Sequence, residues 1–155
     1  MKLLLFSDSH GTGKYLEAMA EKALKEGGID AVLFAGDGLR GLYGLETLGQ
    51  VFAVRGNCDP ADPYTPQELT LPFGRHRIYL SHGNLHRVKR TLDLLAKAAQ
   101  ERKADMAVYG HTHVQHFEMI SKILCINPGA LWNGEYAILH LPPDAPPRAE
   151  FRRLV

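Results

Sequence analysis

Five short apolar runs in this chain each end in a tight polar cluster, and that alternation restricts the fold more than any other feature of the sequence. Asp8-Ser9-His10 follows the run 2–6, Gly36-Asp37-Gly38 follows 31–35, and Gly56-Asn57-Cys58-Asp59 follows 51–54. Ser81-His82-Gly83 then follows 77–80, and Gly110-His111-Thr112-His113 follows 106–109. Short uninterrupted apolar runs suit strands buried on both faces, the usual state of a parallel sheet covered by helices. In open α/β sheets ligands sit outside the carboxyl ends of the strands, so all five clusters are expected to converge on one edge.

The segments between the runs agree with that architecture. Tyr15, Leu16, Met19, Ala20 and Ala23 recur at helical spacing, and Gly27-Gly28 ends the stretch, so the first 35 residues read as a βαβ unit. A second amphipathic helix is expected over 88–101, with Val88, Leu92, Leu95 and Ala99 on one face. The segment 58–72 holds four of the nine prolines and reads as a loop leading into a short strand at 68–71. Strand-like pieces at 117–120, 123–126, 136–141 and 151–154 predict an antiparallel C-terminal third. At 155 residues the chain suits one domain spanning 1–155, long enough to bury a core unaided.

Charge and composition narrow the function classes. Eighteen Lys and Arg against seventeen Asp and Glu leave a formal charge of +1, without a basic block, which disfavours nucleic acid as a partner. The apolar N-terminal run is too short for a membrane span or signal peptide, and two cysteines give no disulfide framework, so a cytoplasmic location is expected. Gly11-Thr12-Gly13-Lys14 lacks the spacing of a phosphate-binding P-loop, and Lys14 reads as an exposed first-turn residue.

Histidine is the exception, with eight copies. The groups converging on the sheet edge are Asp8, His10, Asp37, Asn57, His82, His111 and His113. Two carboxylates, an amide oxygen and four imidazoles suit two adjacent divalent transition-metal ions, manganese first, with iron, zinc, cobalt or nickel as alternatives. Calcium would want oxygen throughout, and structural zinc or iron–sulfur would want clustered thiolates. Two dications against two aspartates leave a positive site that suits an anionic substrate. His76 and His140 read as surface positions, while His86 and His116 lie near the clusters; Cys125 reads as a small core residue.

In this order and spacing the motifs resemble those of the calcineurin-like metallophosphoesterases: D-x-H, G-D, G-N-x-[D/E], an isolated histidine and G-H-x-H. The compact length, the Ser-Asp-Ser-His-Gly start, the Asn-Cys-Asp variant and Asn127-Pro128-Gly129 are most similar to its YfcE-type branch of small phosphodiesterases. The resemblance implies a four-layer αββα sandwich with a di-metal site at one edge. It also implies one metal on Asp8, His10, Asp37 and His113 and the other on Asp37, Asn57, His82 and His111. Asp37 would bridge, and a hydroxide held between the ions would attack a small phosphate ester in line with the leaving group. The residues expected to take part in the chemistry are Asn57, Cys58, Asp59, His82 and His111.

Three places depart from the family pattern. Phosphatase branches carry a histidine where this chain has Cys58, and a thiol protonates a leaving group less readily, which favours diesters with good leaving groups. Relatives also carry His-Gly-His at His82-Gly83-Asn84, and Ser followed by a Pro-Arg pair where this chain has Ala130-Leu131-Trp132-Asn133. The alternative reading is a non-catalytic scaffold that keeps the fold and metal site for protein–protein contact. Degenerate scaffolds lose ligand histidines, and all seven ligand positions here hold competent residue types. Self-association is compatible with either reading.

Overall fold

A computed structural model describes residues 1–11 and 13–154; Thr12, within the Gly-Thr-Gly-Lys stretch, and Val155 lie outside the described residues. The strands are β1 (Lys2–Phe6), β2 (Ala31–Phe34), β3 (Gln50–Ala53), β4 (Glu68–Phe73), β5 (His76–Ser81), β6 (Met106–Val108), β7 (His116–Ile120), β8 (Ile123–Asn127), β9 (Glu135–His140) and β10 (Arg148–Arg153). Helix α1 covers Gly13–Glu26 and α2 covers Asp93–Glu101. Two five-stranded sheets form, in the orders β10-β9-β1-β2-β3 and β4-β5-β6-β8-β7.

The unbroken apolar runs follow from a sandwich in which each sheet buries both faces. Leu3, Leu5 and Leu33 meet Ile78, Leu80, Val108 and Ile126 between the sheets. Leu4, Phe6, Val32 and Phe34 point the other way, onto Leu16, Met19 and Ala23 of α1. On the far side Tyr79, Ala107 and Cys125 pack on Leu95, Ala96 and Ala99 of α2. The result is the four-layer αββα sandwich. Helix α1 ends where expected, since Gly27 and Gly28 both have positive φ. Among the described residues no helix is long and apolar enough to cross a membrane.

Two expectations are corrected. The second helix begins at Asp93, not near residue 88. Upstream, Gly83 and Arg87 adopt left-handed conformations around a 3-10 turn at Asn84–His86, and residues 87–90 continue as turn rather than helix. Val88 and Leu92 still pack beneath α2, and their apolar spacing reflects burial of an irregular segment. The C-terminal third is not wholly antiparallel, because β8 pairs in parallel with β6. The β7–β8 hairpin turns through Ser121 and Lys122, both with positive φ, and delivers β8 parallel to its inner neighbour.

Candidate metal centre

The carboxyl ends of β1, β2, β3, β5 and β6 lie together, and backbone hydrogen bonds stitch the polar clusters there to one another. Asp8 N–H donates to Gly36 O (2.9 Å), His10 N–H to Asp37 O (3.0 Å) and Gly110 N–H to His82 O (3.0 Å). The motif glycines make this closeness feasible. A Cβ at Gly110 would stand 2.6 Å from Asp8 Oδ2, and one at Gly56 would stand 2.6 Å from the Asp37 backbone nitrogen.

Backbone conformation then aims the side chains. Asp8, His10, Asp37, His111 and His113 all sit at φ between 46° and 69°, the left-handed region that costs a non-glycine residue about 1–2 kcal/mol. Five such residues among seven candidate ligands mark a site where strain is held in place by the surrounding bonds.

The side chains form three overlapping groups whose ligand atoms lie within 4.8 Å of one another: Asp8 with His10 and His113, Asp37 with His82 and His111, and His10 with Asp37 and Cys58. Asp37 belongs to two of the three, between His10 and His82. Its Oδ2 is 3.1 Å from His82 Nε2 and 4.0 Å from His10 Nε2, while Oδ1 accepts the Cys58 N–H at 2.8 Å. Asp8 is fully buried; Oδ2 accepts from Ser7 Oγ and from the His111 N–H, and Oδ1 faces His113 Nε2 at 3.1 Å.

His82 tests whether these residues fit a cation. Its Nδ1 lies 2.7 Å from Ala35 O, and since a carbonyl only accepts, Nδ1 carries the proton. That leaves Nε2 to take a proton or a cation: it is buried, has no hydrogen-bond partner, and faces carboxylate oxygens of Asp37 at 3.1 Å and Asp8 at 3.8 Å. Lone pairs converging in a buried space are reconciled only by a positive charge between them. The same pull appears in the titration. Burial opposes a charged imidazole at His82, but Asp37 and Asp8 outweigh it and raise its pKa. Burial opposes ionisation of Asp37, yet His82 and the Cys58 N–H hold its carboxyl down at about 2. His111 is shifted down by burial and by the nearby charges of His82 and Lys89, which keeps its imidazole neutral, the form that binds a metal.

The remaining expected residues are also located. Asn57 is exposed on the loop after β3, with Nδ2 3.5 Å from Cys58 Sγ. Cys58 is an exposed free thiol at the centre's edge, and partial burial and the charges of Asp37, Asp59 and Asp8 push its pKa up. The Asp59 carboxylate accepts four backbone N–H groups, from Asp37 and Gly56 at 2.8 Å and from Gly38 and Leu39 at 2.8 and 3.0 Å. Asn127 holds the last cluster through Gly110 O (3.1 Å) and Thr112 Oγ1 (2.9 Å). The other histidines are taken up in pairs: His76 with Asp105, His86 with the Tyr79 hydroxyl, His116 with Glu118 and His140 with Glu150. Cys125 is buried in the core, and Lys14 is exposed, as expected.

A cavity of about 500 Å³ opens over His10, Asp37 and Cys58, and Arg40 also lines it. The sequence alone did not single out Arg40, and Ser7 stood out only as the first residue of the Ser-Asp-Ser-His-Gly start.

Comparison with known proteins bears directly on this geometry. The sequence profile of the calcineurin-like phosphoesterase superfamily domain matches residues 1–141. The chain is 36% identical to "Probable metallophosphoesterase YsnB" of Bacillus subtilis, over 94% of this chain and 87% of that protein. It is 28% identical to "Phosphodiesterase YfcE" of Escherichia coli K12, over 84% of this chain and 79% of that one. Among solved structures, a predicted phosphoesterase from Streptococcus pneumoniae superposes with a TM-score of 0.80 at 26% identity, covering 98% of this chain and 88% of the other.

Proposed function

The chain belongs to the calcineurin-like phosphoesterase superfamily and is a metal-dependent phosphoester hydrolase; from that premise we propose that it is a dinuclear phosphodiesterase acting on small phosphate esters with good leaving groups. The observation that carries the metal reading is the buried, unpartnered Nε2 of His82 set against Asp37 and Asp8. One ion would be held by Asp8, His10, Asp37 and His113, the other by Asp37, Asn57, His82 and His111. Two of the three observed ligand groups divide along that line, and Asp37 stands between His10 and His82. Manganese is the working choice among metals suited to mixed nitrogen and oxygen donors. When bound, such ions supply an activated water at neutral pH and offset the charge that develops on phosphorus.

The protein's own groups do the rest. Asp8 and His82 are fixed by Ser7, the His111 N–H and the Ala35 carbonyl, so the ligand set is ordered before an ester arrives. Arg40, in the same cavity, offers a guanidinium to the incoming phosphate. Cys58, with its thiol pKa pushed up, stays protonated but is a reluctant acid, which is why diesters whose leaving groups need little protonation are favoured. The free thiols and the single-domain length suit a cytoplasmic enzyme spanning 1–155.

Hydrolysis of bis-p-nitrophenyl phosphate by the purified protein, with Mn²⁺ added and then removed by chelation, tests the reading. Activity is expected with metal and to vanish on chelation. Absence of turnover in a protein shown to bind metal would support the scaffold alternative. Cys58→His is expected to raise kcat/KM on an alkyl phosphomonoester relative to bis-p-nitrophenyl phosphate by about tenfold or more, since general acids contribute on the order of 10²-fold. An unchanged ratio would remove Cys58 from the chemistry.

A further inference from the structure

We infer that Trp132 forms an aromatic subsite beside the candidate metal centre, and that the esters this protein takes carry a nucleobase or comparable aromatic ring next to the phosphate. The inference rests on the phosphodiesterase reading above and narrows its substrate class. Trp132 is the chain's only tryptophan, and the residue is 52% exposed. Its ring lies 6.3 Å from that of His10, centroid to centroid, at 86°. Tyr43 and Tyr64 are more exposed, but among the described residues only Trp132 of the large exposed apolar side chains is in ring contact with a candidate ligand.

The turn that carries the indole is fixed by its backbone. It sits in a 3-10 turn, Leu131–Asn133, whose first residue is fully buried. Leu131 N–H donates to Ser7 O (2.8 Å) and Trp132 N–H to Asp8 O (3.0 Å), so the turn is bonded to the segment that carries the ligand Asp8. Asn133 and Gly134 N–H groups close the turn on Ala130 and Leu131 carbonyls. A large apolar ring held half in solvent leaves surface that an aromatic ligand can cover, and pre-ordering it lowers the entropy cost of binding. Stacking of a base on an aromatic side chain contributes on the order of tenfold to a hundredfold in affinity and is tolerant of base identity. His10 both lines the cavity over the centre and meets the Trp132 ring, so a base on Trp132, outside that cavity, would adjoin it across His10.

The lone tryptophan supplies the readout. Adenosine 5′-phosphate and ribose 5-phosphate share the phosphate and sugar and differ by the base. Titrated into the metal-loaded protein, the first is expected to quench tryptophan emission saturably and the second to leave it nearly unchanged. As inhibitors of bis-p-nitrophenyl phosphate hydrolysis, the nucleotide should have a Ki about tenfold or more below that of the sugar phosphate. That ratio should persist in Trp132→Phe and collapse toward one in Trp132→Ala. Equal quenching by the two ligands, equal Ki values in the wild type, or an unchanged ratio in Trp132→Ala would each overturn the subsite. Failure to hydrolyse the diester at all would overturn the hydrolase reading instead, and the emission titration, which needs no turnover, would still decide the subsite.

Discussion

Asp37→Asn is expected to lower kcat/KM for bis-p-nitrophenyl phosphate by roughly 10³-fold or more, equivalent to about 4 kcal/mol of transition-state stabilisation, while the metal-free fold loses only the attraction between Asp37 and His82. The substitution is almost isosteric. The amide oxygen can keep the 2.8 Å bond from the Cys58 N–H, and the new amide nitrogen can donate to the unpartnered His82 Nε2 where Asp37 Oδ2 now stands at 3.1 Å. What the variant loses is an anionic oxygen between the two ligand groups, since an amide nitrogen has no lone pair to give a cation. Two measurements check this. Metal at about 100 times its Kd should stabilise the wild type by about 2.7 kcal/mol and raise its Tm by a few degrees; the variant should show little shift. Retention of more than a tenth of the activity with the metal-induced shift intact would remove Asp37 from its bridging place.

The parts of this site that could be read in advance are those fixed by topology. Four of the five clusters follow a strand whose end is buried on both faces, so the apolar runs ending at Phe6, Phe34 and Leu80 announce where Asp8, Asp37 and His82 emerge; β3, at the sheet edge, is only half-buried. Asp8, His10, Asp37, His82, His111 and His113 do meet, at the carboxyl ends of strands from both sheets of the sandwich. What could not be read is conformation that violates local preference. Asp and His tolerate positive φ better than most residue types, but their type does not fix it at Asp8, Asp37 or His111; the neighbouring loops impose it through bonds such as Asp8 N–H to Gly36 O. The start of α2 was obscured for a related reason. Val88 has helical spacing to Leu92 and Leu95, but Gly83 and Arg87 turn the chain before a helix can form. Trp132 stood out only as a departure from the family pattern, because its meeting with His10 joins segments more than a hundred residues apart.

Asp59 exposes the same blind spot from the side-chain end, and its replacement carries the second large expected effect. Its place in the Gly-Asn-x-Asp motif suggests a part in the chemistry, yet its two carboxylate oxygens are engaged by the backbone N–H groups of Asp37, Gly38, Leu39 and Gly56. A carboxylate so engaged is a clamp between the loops after β2 and β3. It holds Asp37 at φ 63°, a conformation the free chain would leave. Asp59→Ala strands those four donors at once. Because the group is partly exposed, water can reach some of them, and the expected loss of stability in urea denaturation is about 2–4 kcal/mol. With the clamp gone Asp37 no longer stays aimed between His10 and His82, and metal affinity by calorimetry is expected to fall by about 10–100-fold, the usual effect of losing a group that orients a ligand. Asp59→Asn, which keeps one acceptor oxygen, should fall between wild type and Asp59→Ala in both measurements. A proton-transfer role predicts the opposite division: metal affinity and stability near wild type, with kcat alone depressed. That outcome would place the Asp59 carboxylate in the reaction, and the combined loss of stability and metal affinity would place it beneath Asp37 as the group that keeps the bridge in position.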